Sequence, residues 1–315
     1  MSKCLYCYQE IDTKDTCDYH PKCIKAFYGT TLAPALPYRL DEMEKLAKEA
    51  VELSVTIPGV QPKLSLGLIK SALDDGQNGR LTILDAFEGL YILKPQNTKH
   101  KQMPENEHLS MKLAELFKID VVPSNMIRLA SGELCYITKR IDRKADNSKI
   151  HMIDFLQILE LEDKYLGTME LLGKTIGELS VNTLMDKLRF FELTLFNFII
   201  HNNDMHLKNF SMYLSDMGWV LSPAYDLLNV KIILPKDSEE TALLIGGKKK
   251  NLNKGYFDRF GEVLKLNEKQ ITSVYKKLHT WLPKAIELID VSFLNEDSKA
   301  RYKELITQRV NIVKL

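Results

Sequence analysis

A short polar loop between two apolar segments carries the residue types best suited to chemistry. The loop 201–209 separates an apolar helical pattern at 184–198 from the apolar segment 212–214, and it holds Asp204 and Asn209 five residues apart. At this spacing an aspartate can take the proton of a substrate hydroxyl while the asparagine holds a metal ion. The alternative is a chance match in which Asp204 only caps a turn.

A second oxygen ligand, Asp226, follows further along the chain, where we expect a strand to end. Mg²⁺ prefers oxygen ligands and is usually bound by one or two carboxylates beside phosphate oxygens. Asn209 and Asp226 therefore predict a Mg²⁺ site. His206 and Lys208 lie in the same loop. A cation there could offset charge on a transferred phosphoryl group, and plain solvation of both side chains is the alternative.

An apolar strand pattern upstream, Tyr-Ile-Leu-Lys, ends in Lys94, and the segment 104–107 then opens a helix with acidic residues. Glu107 offers a carboxylate that can pair with Lys94, as the helix glutamate does in protein kinases. Taken singly, Lys94 is equally a solvated strand end and Glu107 an ordinary first-turn acid. The order of these features along the chain follows the protein-kinase pattern: a turn, a lysine, an acidic helix, a loop and a metal-binding aspartate.

The segment 54–63 precedes the lysine and is expected to form a phosphate-binding turn, although it contains one glycine. Gly59, Gln61 and Lys63 belong to this turn. Backbone N–H groups in a turn can bind phosphate oxygens, but the two prolines of the segment remove two of these donors.

The cysteines suggest a second kind of site, because four of the five lie in the first 23 residues. Cys4 and Cys7, and likewise His20 and Cys23, have the paired spacing of a small structural zinc site. Cys17 could replace one ligand, and reduced cysteines without metal are the alternative. Lysines and acids are balanced in this segment, so we do not expect it to bind DNA.

The elements that must position these residues change in character along the chain. Alternating patterns predict strands near 60–66, 81–83, 89–94, 121–128 and 133–140, and helices at 40–53 and 106–117. Longer periodic segments predict helices at 152–161, 182–201, 256–264, 267–280, 283–290 and 297–313. We therefore expect an α/β (α+β) fold of two lobes. The predicted divisions are a cysteine-rich segment at 1–30, a β-rich N-lobe at 31–143 and a mainly helical C-lobe at 144–315.

Composition limits the classes of protein that remain. The chain has 315 residues, of which 45% are hydrophobic and 27% charged, and its net charge is +1. These values exclude a disordered or collagen-like chain and disfavour binding to nucleic acid by phosphate neutralisation. The sequence shows neither a signal peptide nor an apolar run of the roughly 20 residues that span a bilayer. We expect a cytoplasmic protein without direct membrane contact, with export to another cell left open.

The ordered motifs resemble the HipA-type serine/threonine kinases, the toxin halves of bacterial toxin–antitoxin modules. The resemblance covers most of the chain and rests on Gly59-Val60-Gln61-Pro62-Lys63, Ile92-Leu93-Lys94-Pro95, Glu105-Asn106-Glu107, Lys139-Arg140-Ile141-Asp142-Arg143, Asn203-Asp204-Met205-His206-Leu207-Lys208-Asn209-Phe210 and Tyr225-Asp226. It implies a bilobal protein-kinase-like fold and an ATP-dependent and Mg²⁺-dependent phosphotransferase.

The resemblance also implies roles for individual residues. Lys94 would contact the ATP phosphates, Asp204 would be the catalytic base, and Asn209 with Asp226 would bind Mg²⁺. The segment 138–143, which includes Lys139 and Ile141, would be the hinge that carries adenine. Family members autophosphorylate the phosphate loop, and the corresponding hydroxyls here are Thr56 and, as a second candidate, Ser54.

The chain is most similar to the short HipT-type kinases, because its phosphate loop begins near residue 54. The implied substrate is an aminoacyl-tRNA synthetase, and the implied partners are a HipB-like DNA-binding antitoxin, a small HipS-like protein, or both. Two other functions remain open. One is a small-molecule phosphotransferase of kinase fold, and the other is a binding or co-repressor protein without activity. Transfer of label to a protein would separate the kinase from both.

Overall fold

The computed structural model of the chain describes residues 2–12, 17–43, 45, 63–70, 79–84, 89–97, 99–144, 146 and 148–314. The chain divides into two compact units. The first comprises Met1–His108, Val122–Lys149 and Val291–Phe293, and the second comprises Leu109–Val121, Ile150–Asp290 and Leu294–Leu315. The cysteine-rich segment 1–30 thus lies in the first unit. The main change of unit along the chain falls six residues after the predicted boundary at 143.

A five-stranded antiparallel sheet is the framework of the first unit. Its strands are β1 (Leu64–Lys70), β2 (Gly79–Leu84), β3 (Tyr91–Lys94), β4 (Ser124–Arg128) and β5 (Leu134–Lys139), in the spatial order β2-β1-β3-β5-β4. The short strand β3 is central, and its register places Lys94 opposite Tyr136 of β5. The predicted strands are therefore present, with shifted ends.

The start of β3 depends on Gly89, whose φ is +88°. A Cβ atom at this position would lie 2.6 Å from the carbonyl oxygen of Leu66 on β1. The next amide, Leu90 N–H, donates to that same carbonyl at 3.0 Å. Glycine therefore allows the close approach that starts β3 in register with β1 and brings Lys94 to the strand end.

Helix α1 (Pro21–Tyr28) lies within the first unit, and helix α2 (Met103–Leu116) begins in it and passes into the second unit after His108. The ring centroids of Phe27 and Tyr28 in α1 lie 5.8 and 6.1 Å from that of Tyr91 on β3. All three rings are buried, so α1 contributes its apolar face to the core beside β3. Residues 40–43 are also helical, as predicted, while the rest of that prediction, apart from residue 45, lies outside the described residues.

Helices dominate the second unit. They are α3 (Phe155–Ile158), α4 (Met169–Leu179), α5 (Thr183–Ile199), α6 (Val230–Ile233), α7 (Lys254–Val263), α8 (Glu268–Val291) and α9 (Glu296–Ile312). A three-stranded antiparallel sheet, in the order β6-β7-β8, consists of β6 (Met152–Asp154), β7 (Ser211–Ser215) and β8 (Gly218–Leu221). The core lies around α5, which buries Phe190, Phe191, Phe196 and Phe198.

Three details of this unit differ from the sequence prediction. Residues 152–154 form a strand paired with β7 rather than the first turn of a helix. Helices α4 and α6 were not predicted. The two helices expected at 267–280 and 283–290 are the single helix α8, which continues through Pro283 because Trp281 and Ala285 on either side are buried.

Among the described residues, no helix combines the length and the apolar character that crossing a bilayer requires.

Candidate active site

The structure brings together the predicted lysine and glutamate of the first unit. Nζ of Lys94 lies 2.5 Å from Oε1 of Glu107, and the two side chains are only 5% and 4% exposed. Lys94 ends β3, and Glu107 lies in the second turn of α2, so strand and helix each fix one member of the pair. The ammonium group also lies 5.4 Å from the ring centroid of Tyr136 on β5. A buried ion pair of this kind is costly to break.

The neighbouring acid has a different partner. The side-chain amide of Gln96 donates to both carboxylate oxygens of Glu105, at 3.0 and 2.9 Å. Burial raises the pKa of Glu105, while the Gln96 hydrogen bonds favour its ionised form. The acid that pairs with Lys94 is therefore Glu107, as the sequence indicates, and not Glu105.

In the second unit, the predicted catalytic loop begins where α5 ends. His201 adopts a left-handed conformation, with φ +57°, and so terminates the helix. Asp204 follows, with its side chain 51% exposed. The amide Nδ2 of buried Asn209 donates to the backbone oxygen of Asp204 at 3.0 Å. This bond fixes the two residues relative to each other and leaves the amide oxygen of Asn209 for another partner.

Asp226 lies near this loop and is held by backbone constraints. Its φ is +62°, a left-handed value that aspartate tolerates better than most residues. Nδ2 of Asn202 lies 3.5 Å from the Asp226 carbonyl and donates to Oδ1 of Asn197 on α5 at 2.9 Å. Ala224, two residues earlier, donates its N–H to the carbonyl of Asp120 at 2.8 Å. Asp226 thus lies five positions after the last residue of β8, with four residues between them, rather than ending a strand.

Two residues of the site were missed in the sequence. The hydroxyl of Tyr165 donates to Oδ1 of Asp204 at 2.9 Å. Nζ of Lys164 donates to Nε2 of His206 at 2.8 Å. They are about forty positions upstream of the loop, where no spacing signal connects them to it.

His206 is buried and packs edge-on against Tyr165, with ring centroids 5.4 Å apart. Burial lowers the pKa of His206. The carboxylates of Asp204 and Asp226 oppose that shift, and Lys164 adds to it. The imidazole is therefore held neutral at neutral pH, and the cation that contacts its Nε2 is Lys164. Lys208 is half-buried, and its carbonyl accepts from the Tyr225 hydroxyl at 3.1 Å.

The predicted hinge, 138–143, begins in the last two residues of β5 and continues into the turn that follows. Lys139 ends β5 opposite Tyr91, and its Nζ lies 5.5 Å from the ring centroid of Phe27. Burial lowers the pKa of Lys139. Ile141 is half-buried in the turn that follows. Arg140 pairs with both carboxylate oxygens of Asp142, at 2.9 and 2.7 Å, which stiffens this turn.

The four predicted metal ligands of the cysteine-rich segment form one cluster. One ligand atom from each of Cys4, Cys7, His20 and Cys23 lies within 4.8 Å of the others. Cys17 is not part of this group. The structure therefore groups the four residues predicted as ligands without the substitute that the sequence also offered.

Part of the predicted phosphate turn lies outside the described residues. This applies to Ser54, Thr56, Gly59 and Gln61. Lys63, the last residue of the turn, is half-buried and directly precedes β1.

Comparison with known proteins decides the family. The family model described as "HipA-like C-terminal domain" matches residues 55–286, well over half of the chain. The chain belongs to this family. The resemblance carried by the ordered motifs is thereby confirmed.

Curated relatives of this HipA-like chain are named as kinases with the qualifier "putative". One from Haemophilus influenzae is 28% identical over 250 residues, covering 73% of the chain and 70% of that protein. Y4mE of Sinorhizobium fredii is 31% identical over 204 residues, covering 62% of the chain and 46% of Y4mE. Y4dM of the same organism is 30% identical over 220 residues, covering 65% and 51%. The chain spans about half the length of the two Sinorhizobium relatives.

Solved structures share the fold of the HipA-like chain. HipA from a Shewanella oneidensis complex of HipA, HipB and operator DNA has a TM-score of 0.66 at 19% identity, covering 84% of this chain and 70% of that one. The Helicobacter pylori proinflammatory kinase CtkA has a TM-score of 0.54 at 14% identity, covering 74% and 90%. The predicted α/β, protein-kinase-like fold class is confirmed by these matches.

Proposed function

We propose that this HipA-like chain is an ATP-dependent and Mg²⁺-dependent serine/threonine protein kinase, the toxin of a HipA/HipT-like toxin–antitoxin module. The buried ion pair between Lys94 and Glu107 carries the proposal. A protein kinase needs its strand lysine held by a helix glutamate to position the nucleotide phosphates. The order of motifs along the sequence independently predicts the same lysine and the same acidic helix turn.

The residues of the second unit supply the remaining roles. Asp204 is the general base, since its half-exposed carboxylate is accessible to a substrate hydroxyl. The Tyr165 hydroxyl and the Asn209 amide hold the side chain and the backbone of Asp204, so little orientational freedom remains to be lost in the reaction. Lys164, oriented by neutral His206, and Lys208 provide positive charge near the transferred group.

The donor set fits a hard cation. Asn209 has its amide nitrogen committed to Asp204, so its oxygen is the atom directed to a ligand. With the carboxylate of Asp226 it makes the oxygen pair expected for Mg²⁺. Mg²⁺ bound there would neutralise charge on the phosphate oxygens of ATP. Lys139 and Ile141 would flank the adenine, and Gly59, Gln61 and Lys63 the phosphates, as the family resemblance implies.

The proposed substrate is a serine or threonine hydroxyl of a protein, with an aminoacyl-tRNA synthetase as the implied target. The Shewanella HipA forms a complex with HipB and operator DNA. This supports a HipB-like antitoxin as a partner here, and the resemblance to the HipT-type kinases implies a HipS-like protein as a second partner. Thr56 and Ser54 are the proposed autophosphorylation sites, where about −1.5 to −2 added charges would repel bound triphosphate.

The test is incubation of the purified chain with ATP labelled in the γ-phosphate, first alone and then with candidate synthetases. The proposal predicts label on serine or threonine of a protein, and mass spectrometry should find modified Thr56 or Ser54. Label that appears only on an aminoglycoside-like compound would establish the small-molecule phosphotransferase instead. Absence of label from every acceptor, with the chain folded, would favour the binding protein.

A further inference from the structure

The cysteine cluster has the dimensions of a tetrahedral metal centre. Bonds of roughly 2.3 Å to sulfur and 2.0 Å to nitrogen, at the tetrahedral angle, place a sulfur and a nitrogen ligand about 3.5 Å apart. Nδ1 of His20 lies 3.5 Å from Sγ of Cys7 and 3.9 Å from Sγ of Cys23. One imidazole nitrogen can form only one thiol hydrogen bond at a time. A central ion satisfies both separations at once.

The orientation of His20 suits the same purpose. Its Nε2 lies 3.0 Å from the carbonyl oxygen of Glu10, which accepts a hydrogen bond and so requires the proton on Nε2. Nδ1 therefore directs its lone pair at the sulfur atoms. A second hydrogen bond that fixes the tautomer is the usual companion of a metal-bound histidine. His20 also occupies the N-cap position of α1 but makes no side-chain cap, because its ring is turned to the cluster.

The backbone on both sides shapes the cluster. Lys3 and Glu10 form an antiparallel bridge, and the N–H of Cys4 donates to the carbonyl of Gln9 at 2.9 Å. Tyr8 closes this turn in a left-handed conformation with φ +65°. Cys4 and Cys7 are thus presented by a tight turn, and Cys23 by the first turn of α1. The cluster therefore joins two separate elements, a turn and a helix start.

We propose that Cys4, Cys7, His20 and Cys23 bind one structural Zn²⁺, and that this ion fixes the segment that supports both Lys94 and Glu107. Three thiolates and an imidazole form a soft donor set suited to zinc, and four protein ligands leave no open position for catalysis.

Contacts within the first unit connect the cluster to the ion pair. The hydroxyl of Tyr8 lies 2.8 Å from Nδ1 of His108, the residue after Glu107 on α2. On the other side, α1 packs Phe27 and Tyr28 against Tyr91 on β3, the strand that ends in Lys94. The metal therefore restrains two elements. One is the turn that presents Cys4 and Cys7, which contacts α2, and the other is α1, which contacts β3.

The first experiment is metal analysis of the full chain, expressed in zinc-containing medium and purified without chelator. The proposal predicts one zinc per chain. Cys23→Ser should lower the zinc content at least about tenfold, while Cys17→Ser, a matched change in the same segment, should leave it unchanged. Wild-type protein without zinc would overturn the proposal, and so would loss of zinc in Cys17→Ser with retention in Cys23→Ser.

A second measurement does not require the cysteine variants to fold. Co²⁺ exchanged into wild-type protein should give the intense visible bands of tetrahedral thiolate coordination, and their absence would contradict the ligand set. Removal of zinc by a chelator should speed amide exchange in β3 and in residues 103–108 of α2 at least tenfold, and Zn²⁺ but not Mg²⁺ should restore it. Unchanged exchange would refute the supporting role. None of these readouts depends on kinase activity, so they can fail or succeed independently of the proposed function.

Discussion

At the scale of single residues, the ion pair of Lys94 and Glu107 is the contact on which the proposed function depends most. Both charges are removed from water, and each lies directly against the other. Desolvation makes such a pair weak as a source of net stability but very sensitive to loss of one member. The neighbouring Glu105 interacts with the neutral Gln96 instead. Loss of the Glu107 carboxylate should therefore destabilise the chain more than loss of the Glu105 carboxylate.

We expect Glu107→Gln to destabilise the chain by about 3–5 kcal/mol, because it leaves the ammonium group of Lys94 buried beside a neutral amide. Glu105→Gln should cost about 1 kcal/mol or less, because the new amide can still accept a hydrogen bond from Gln96. Urea unfolding of both variants at pH 7 measures the difference. Equal losses of unfolding free energy in the two variants would show that stability depends no more on the Lys94–Glu107 ion pair than on the Gln96–Glu105 hydrogen bonds.

The sequence predicted the residues of the site that share a motif but not those that reach it from elsewhere. Lys94, Glu107, Asp204 and Asn209 follow from spacing, since each motif places its members within one element or one loop. The contact of Tyr165 with Asp204 spans 39 positions and exists only after the second unit has folded. No local pattern encodes such a contact.

At the scale of elements, the end of α5 determines where the catalytic loop starts, and α9 covers that end. His201 terminates α5, and its Nε2 lies 3.3 Å from the carbonyl of Leu305 and 3.2 Å from Nε of Arg309 on α9. Arg309 also pairs with Glu240 at 2.7 Å. Burial lowers the pKa of His201 to about 3, and the positive charge of Arg309 adds to this effect.

This shift predicts how stability depends on pH. The folded chain keeps His201 neutral until about pH 3, whereas the unfolded chain binds a proton below about pH 6.5. Above about pH 6.5 His201 is neutral in both states and does not lower the free energy of unfolding. Below that pH the unfolded chain gains a proton and the free energy of unfolding falls, by about 2 kcal/mol between pH 7 and pH 5. Asparagine tolerates the left-handed backbone at this position, so His201→Asn should remove this loss of unfolding free energy at low pH.

Unfolding free energies at pH 7 and pH 5 test this expectation. The control is His279→Asn, a matched change at an exposed position of α8, which should keep the wild-type difference. If His201→Asn also keeps the full wild-type difference, the histidine is not the group that titrates.

Element boundaries show why the fold could be predicted only in part. The central strand β3 and helix α2 were found, because an apolar run and a helical period are local signals. Residues 152–154 are apolar enough for either state, and only their pairing with β7 makes them a strand. Pro283 suggested a helix break, since proline costs roughly 3 kcal/mol inside a helix. The indole of Trp281, which donates to the Leu113 carbonyl at 3.0 Å, is part of the packing that offsets this cost.

At the scale of the whole molecule, the HipA-like chain distributes its proposed phosphotransfer residues over both compact units. Lys94 and Glu107 belong to the first, and Asp204, Asn209 and Asp226 to the second. Under the proposed function the second unit binds Mg²⁺, so part of the stabilisation of the folded chain by ATP should require this cation.

We expect ATP at about 100 times its dissociation constant to raise the unfolding free energy by about 2.7 kcal/mol when Mg²⁺ is present, and by clearly less without it. Asp226→Asn, which preserves the left-handed backbone, should abolish the Mg²⁺-dependent part. Thermal unfolding with a nonhydrolysable ATP analogue measures both effects. Asp216→Asn, in the exposed turn after β7, serves as the control, and an identical Mg²⁺ effect in the two variants would contradict the assignment of Asp226.

The most direct test of the kinase assignment is transfer of γ-labelled phosphate from ATP to proteins of a cell lysate, compared between wild type, Asp204→Asn and Asp216→Asn. A general base contributes about 10²–10⁴-fold to the rate, so we predict a labelled protein band for wild type and Asp216→Asn and its loss in Asp204→Asn. A band of equal strength in Asp204→Asn would contradict the assignment of the base. Folded wild-type protein that labels nothing would contradict the kinase itself.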